Sequence, residues 1–183
     1  MAATVWYVQA TAKESLESIG RKVGALYDAA GFSRILEPGE LVAIKMHFGE
    51  KNNDTHVRPE MVRPIVDRVK SVGAKPFLTD TNVLYKSQRS NAVDHLELIH
   101  QHGFTLERVG APVFILDGLR GNQEEEIEIP GVIYDKVSLA AGLALADALI
   151  VVSHVTGHMG TGLGGPLKNM GMGLSSRMGK LRQ

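Results

Sequence analysis

Short runs rich in β-branched and aliphatic residues alternate along the chain with longer stretches whose apolar positions recur every three to four residues. That alternation predicts an α/β protein built on a mostly parallel sheet flanked by helices on both faces, a three-layer arrangement. Thr4–Val8 reads as a first strand. Thr11 and Glu14 form a capping-box pattern ahead of a helix whose apolar face carries Leu16, Ile19, Val23, Leu26 and Tyr27, ending near Gly31. Leu41–Met46 is a second strand, cut off by His47-Phe48-Gly49-Glu50. Pro59 suits the first position of a helix with Met61, Val62, Ile65, Val66 and Val69 on one face, closed by Gly73.

Pro76–Thr79 is the third strand and ends in Asp80-Thr81-Asn82, after which Val83–Arg89 is a loop. Ser90 or Asn91 caps a helix carrying Val93, Leu96 and Ile99, which stops at Gly103. Val113–Leu116 is a further strand, and residues 117–130 form an excursion outside the sheet, a small hairpin with Ile127–Ile129. Ser138 starts a short helix with Leu139, Leu143 and Leu145, and Ala148–Val152 is the most buried strand, delivering His154 to His158. With 183 residues and no repeat or linker, one α/β domain spanning residues 1–183 is expected.

Composition sharpens this picture in two places. The absence of cysteine excludes disulfides, thiolate zinc sites, a cysteine nucleophile and an iron–sulfur cluster held by this chain alone. Twenty basic residues balance twenty acidic ones, which argues against a nucleic-acid partner, and the longest apolar run, Ala144–Val152, is too short to span a bilayer. A cytoplasmic protein is the expectation. The balance conceals an asymmetry, because after Asp147 the chain has no acid but carries Lys168, Arg177, Lys180 and Arg182, among 8 of the 20 glycines. Cations in glycine-rich backbone make a plausible anion-binding surface.

Ligands of open α/β sheets sit outside the carboxyl ends of the strands. Three such ends are polar here: His47 with Glu50, Asp80 with Thr81 and Asn82, and His154 with His158. They are compatible with a divalent-metal site, with a general acid–base pair, or with hydrogen-bonded strand-end histidines and a turn-capping Asp80; spacing leaves the three readings open, since strand order is not visible. His95, His100 and His102 read as solvated helix residues. In the segment 157–173, Gly162, Gly164, Gly165, Lys168 and Asn169 are the candidate anion contacts, with Pro166 starting a helix; the spacing matches neither a Walker A loop nor a dinucleotide-binding fingerprint, and the alternative is tight helix–sheet packing. The polar loop Lys51–Arg58 reads equally as a ligand cover or a solvated connection, and Glu124–Glu126 as a solvated hairpin tip.

Five segments together carry a resemblance: Lys45-Met46-His47-Phe48-Gly49-Glu50; Arg58-Pro59-Glu60; Phe77-Leu78-Thr79-Asp80-Thr81-Asn82; Arg89 to His95; and His154-Val155-Thr156-Gly157-His158 through Gly164-Gly165-Pro166-Leu167-Lys168-Asn169-Met170-Gly171-Met172-Gly173. Over nearly the whole chain they resemble domain-of-unknown-function family 362, and the glycine segment is more weakly similar to that of the lactate racemase family. The resemblance implies association with a ferredoxin-like module binding 4Fe–4S clusters, which this chain lacks: either the 183 residues are cut from a longer protein or they are a stand-alone version. Two functions follow as expectations. One is an oxidoreductase or its substrate half, with His47, Asp80, His154 and His158 in proton transfer or metal ligation and electrons arriving from the separate module. The other is a non-catalytic module that binds an anion or nucleotide. A small anionic ligand, the ferredoxin-like module and a second copy of the chain are the expected partners.

Overall fold

The computed structural model describes residues 3–183. In chain order its strands are β1 (Leu41–Lys45), β2 (Lys75–Asp80), β3 (Val113–Ile115), β4 (Glu124–Glu128), β5 (Lys136–Ala140), β6 (Ala148–Val151), β7 (Thr156–His158) and β8 (Gly162–Gly164). Four of them make one all-parallel sheet in the order β3-β2-β1-β6, while β4 pairs with β5 and β7 with β8 as antiparallel hairpins. The helices are α1 (Leu16–Ala30), α2 (Pro59–Ser71), α3 (Ala92–Gln101), α4 (Leu106–Val109), α5 (Pro166–Gly171) and α6 (Arg177–Arg182). The α/β expectation holds.

Burial explains the central position of β1. Val42, Ala43, Ile44, Lys45 and Met46 are all buried, as a strand covered on both faces must be. Val42, Ile44 and Met46 join Val62, Ile65, Val66 and Val69 of α2, with Leu78, Ile99 and Phe104, in one core. The α1 helix packs on α2 at close range: a Cβ at Gly20 would lie 2.4 Å from the Glu60 carbonyl oxygen, so no larger residue fits without shifting backbone. The two-residue period turns Lys45 away from Ile44 and Met46. There it meets the C-terminal segment, with its Nζ 2.6 Å from Asn169 Oδ1.

Four local expectations are corrected. Thr4–Val8 is not a strand; the segment is exposed and pairs with no strand, because β-propensity without a partner forms no ladder. The Thr11–Glu14 box is present, with Glu14 Oε1 accepting the Thr11 N–H at 2.9 Å, but the helix starts one turn later, capped by Ser15. Ser138 lies inside β5 rather than starting a helix, and only a short 3₁₀ turn over Ala141–Leu145 follows. Glu124–Glu126 is part of β4, not a hairpin tip, and Glu124 is held by Arg182 at 2.6 Å.

The α3 helix is rotated from its expected phase. Asn91 caps it as expected, but its buried residues are Ala92, His95, Leu98 and Ile99, while Val93 is exposed. His95 therefore lies wholly inside the protein rather than on a solvated face.

Candidate functional site

The order β3-β2-β1-β6 makes the three polar strand ends neighbours, since β1 lies between β2 and β6. Their residues open into one cavity of about 390 Å³, lined by His47 and Glu50 after β1, Asp80 and Thr81 at β2, and Ser153 and His154 after β6. His158, Gly164, Gly165, Lys168 and Asn169 form another wall, and Tyr85, Arg89 and Lys180 also line it. Gly162 is not part of the wall; it sits at the end of the β7–β8 hairpin.

Asp80 is the electrostatic centre. Its Oδ1 is 3.0 Å from Lys45 Nζ and accepts the Thr81 N–H at 2.9 Å, while its Oδ2 accepts from Arg89 Nη2 at 3.0 Å. Burial alone would raise its pKa, but Lys45 and Arg89 outweigh burial and hold the carboxyl far below the usual carboxylate range. With both oxygens engaged, Asp80 acts as a counter-ion and has no proton to exchange near neutral pH.

Sequence reasoning missed Lys45, Arg89 and Lys180. Lys45 is buried and uses its ammonium on Asp80, on Asn169 Oδ1 and on the Met46 carbonyl at 3.0 Å. Its signal was legible: a lysine within Val42-Ala43-Ile44-Lys45-Met46 has to find an anion inside. Arg89 comes from the short turn before α3 and its Nη1 also contacts Glu50 Oε1, to which the Tyr85 hydroxyl donates at 2.5 Å. Burial, with Glu50 adding to it, pushes the Tyr85 phenol up to about 12.

His47 sits at the rim with half of its side-chain surface open to solvent. Its Nδ1 accepts the Gly49 N–H at 3.0 Å, which leaves the neutral ring's one proton on Nε2, 2.7 Å from Arg89 Nη1 and 3.8 Å from Glu50 Oε1. A second proton, on Nδ1, would set N–H against the Gly49 N–H. Desolvation first, and the Arg89 charge second, push its pKa down to about 4. His95, buried against Arg89 and Asp80, is likewise pushed down to about 4, mainly by burial. His158 Nδ1 accepts from the Gly160 and Thr161 amides at 3.2 and 3.1 Å, which fixes the hairpin end. His154 is exposed on the wall.

These two depressed histidines give a signed prediction. Each binds its proton only near pH 4 when folded but near pH 6.5 when unfolded, so their stability contribution is complete above pH 6.5 and is lost as pH falls toward 4. Urea unfolding at a series of pH values is expected to show stability falling across that window, with His47→Gln flattening the slope. A flat profile between pH 6.5 and 4 contradicts the neutral state of the two rings.

Among the described residues, no three His, Asp or Glu side chains gather closely enough to hold a metal ion, and no helix is long and apolar enough to cross a membrane. With no cysteine, the chain's own residues do not fit an iron–sulfur cluster. Fold and site together define an open parallel α/β domain with a cation-lined cavity at the carboxyl ends of its central strands. Residues 42–183 match the family described as a domain of unknown function, DUF362, and the chain belongs to that family. No curated protein and no solved structure matches the chain.

Proposed function

We propose that the chain binds an anionic small molecule in this cavity, with segment 157–173 as one wall and Lys168 as the residue that meets the anion. The observation that carries the reading is the state of Lys168. It lines the cavity, yet among the described residues its ammonium has no carboxylate or hydrogen-bond acceptor in reach, unlike Lys45, which the fold already engages. A cation facing a cavity without a counter-ion is satisfied by water in the free protein and by an anion in the complex.

The geometry favours binding over acid–base work by His47 and Asp80. Asp80 is a fixed counter-ion and His47 is neutral, with Nδ1 occupied by the Gly49 N–H and Nε2 set against Arg89. Any proton transfer to the ligand falls to His154 and His158, the strand-end histidines on the same wall. In the oxidoreductase version of this reading, the chain is the substrate-holding half and electrons come from an iron–sulfur module outside it.

Thermal or urea unfolding with phosphate at millimolar concentrations tests the reading. An anion at a hundred times its Kd stabilises the native state by about 2.7 kcal/mol. Lys168→Met is expected to cut that gain sharply while changing the stability of the free protein by no more than about 0.5 kcal/mol, the usual range for a surface position. A stabilisation that survives the substitution undiminished places the anion elsewhere.

A further inference from the structure

We infer that the ligand of this cavity is a dianion, its two negative charges matching two lysines that the fold leaves without an ion-pair partner. The inference rests on the anion reading above and deepens it.

The charges of the cavity wall divide into a closed set and an open one. Lys45 and Arg89 are cations, Asp80 and Glu50 are anions, and direct contacts join them: Lys45 and Arg89 each reach Asp80 at 3.0 Å, and Arg89 also holds Glu50. That set is neutral and interlocked. Two cations on the same wall, Lys168 and Lys180, stand outside it.

Lys180 is fully hydrogen-bonded but has no ion-pair partner. Its Nζ donates to Thr81 Oγ1 at 2.5 Å, to the Asn82 carbonyl at 2.8 Å and to the Ser175 carbonyl at 2.9 Å, so every proton is used on an uncharged acceptor. Among the described residues, no carboxylate lies within ion-pair distance of it. The nearest buried acid outside the wall, Asp117, accepts the Asn82 and Arg177 backbone N–H groups at 3.0 Å each. Arg177, whose Nε donates to the Val83 carbonyl at 2.9 Å, brings a further positive charge to the same neighbourhood. Asp80 and Asp117 attract the Lys180 charge from beyond ion-pair distance, so the pull on it is partial and no acid pairs with it. Burial pushes the Lys180 ammonium down to about 8, so it is charged at pH 7.

An excess of two positive charges at one cavity is an arrangement the sequence reinforces, because no acid follows Asp147. A monoanion would leave one of the two without a partner where solvent is partly displaced, whereas a dianion matches both.

Isothermal titration at pH 7 and matched ionic strength decides the question with pairs that differ in charge and share a shape. Sulfate against methanesulfonate keeps one tetrahedral head; succinate against butyrate separates two carboxylates along a chain. The expected result is a preference for the dianion of at least about tenfold in one pair, a modest gap for one extra close charge. The pair that shows it tells whether the two charges sit on one head or on two. Equal affinities within about twofold in both pairs overturn the dianion assignment and leave the anion reading intact; no heat with any of the four overturns both. In Lys168→Met the preference is expected to collapse to within about twofold with monoanion binding reduced but measurable, and a preference that persists there rules Lys168 out as one of the two lysines.

Discussion

Replacing Asp80 by Asn is expected to lower the free energy of unfolding by about 3–5 kcal/mol, the usual result of breaking a buried ion pair from one side. The size follows from what stays behind. Lys45 is 1 % exposed and Arg89 4 %, and Asp80 is the carboxylate that touches both. Asparagine keeps the shape but brings no charge, and its amide N–H groups would face a cation. Glu50 still pairs with Arg89, so Lys45 is the group left stranded. Adding Lys45→Met to Asp80→Asn is therefore expected to recover part of the loss, since it removes the uncompensated cation, and a double-mutant cycle measures the coupling. Urea unfolding at pH 7 provides the reading. A loss below about 1 kcal/mol for Asp80→Asn, or a double variant less stable by the sum of both single changes, contradicts the counter-ion role.

The same pair shows what the sequence made legible. The polar residues after β1, β2 and β6 mark where the cavity opens, and the position of a ligand site in a parallel sheet follows from the strand ends alone. Helix α2 was readable from Pro59 and a regular apolar face, and its observed span of Pro59–Ser71 starts where that pattern does. The partners that the organising side chains meet were not. Lys45 sits in an apolar run, and its role depends on Asp80 in the neighbouring strand and Asn169, 124 positions later. Lys180 has no local signal, because its acceptors are two backbone carbonyls and a threonine hydroxyl brought together only by the fold.

Misreadings elsewhere have the same origin. The α3 helix carries apolar side chains on more than one face, so periodicity alone allows two phases, and packing buries His95 with Leu98 and Ile99 while exposing Val93. Thr4–Val8 has the residues of a strand, but the sheet is complete without it and its edges lie at β3 and β6. In both cases local preference was satisfied only where tertiary contacts agreed with it.

The glycine-rich segment divides in the same way, and Gly173→Ala is the sharpest test of how it meets the sheet. Ala at 173 would place its Cβ 2.1 Å from the Asn169 carbonyl oxygen and 2.7 Å from Lys45 Nζ. The first neighbour is backbone and cannot swing aside; the second is the ammonium that Asp80 and Asn169 hold in place. Overpacking of this kind costs about 1–3 kcal/mol. It also pushes apart the segment whose Gly173 carbonyl accepts from Thr81 Oγ1 at 2.9 Å, on the wall where Lys168 and Lys180 lie. Gly173→Ala is thus expected to lose stability and to weaken anion binding at least about tenfold, the effect of displacing one close charge. Gly171→Ala makes the contrast, since a Cβ there meets nothing within 4 Å and the residue closes helix α5. There alanine is expected to be neutral or to stabilise by up to about 1 kcal/mol, the helix preference of Ala over Gly. Urea unfolding and anion titration of the two variants side by side separate close approach from general flexibility. If both alanines behave alike, the segment works as a loose loop, and the contact between Gly173 and Lys45 does not set the shape of the cavity.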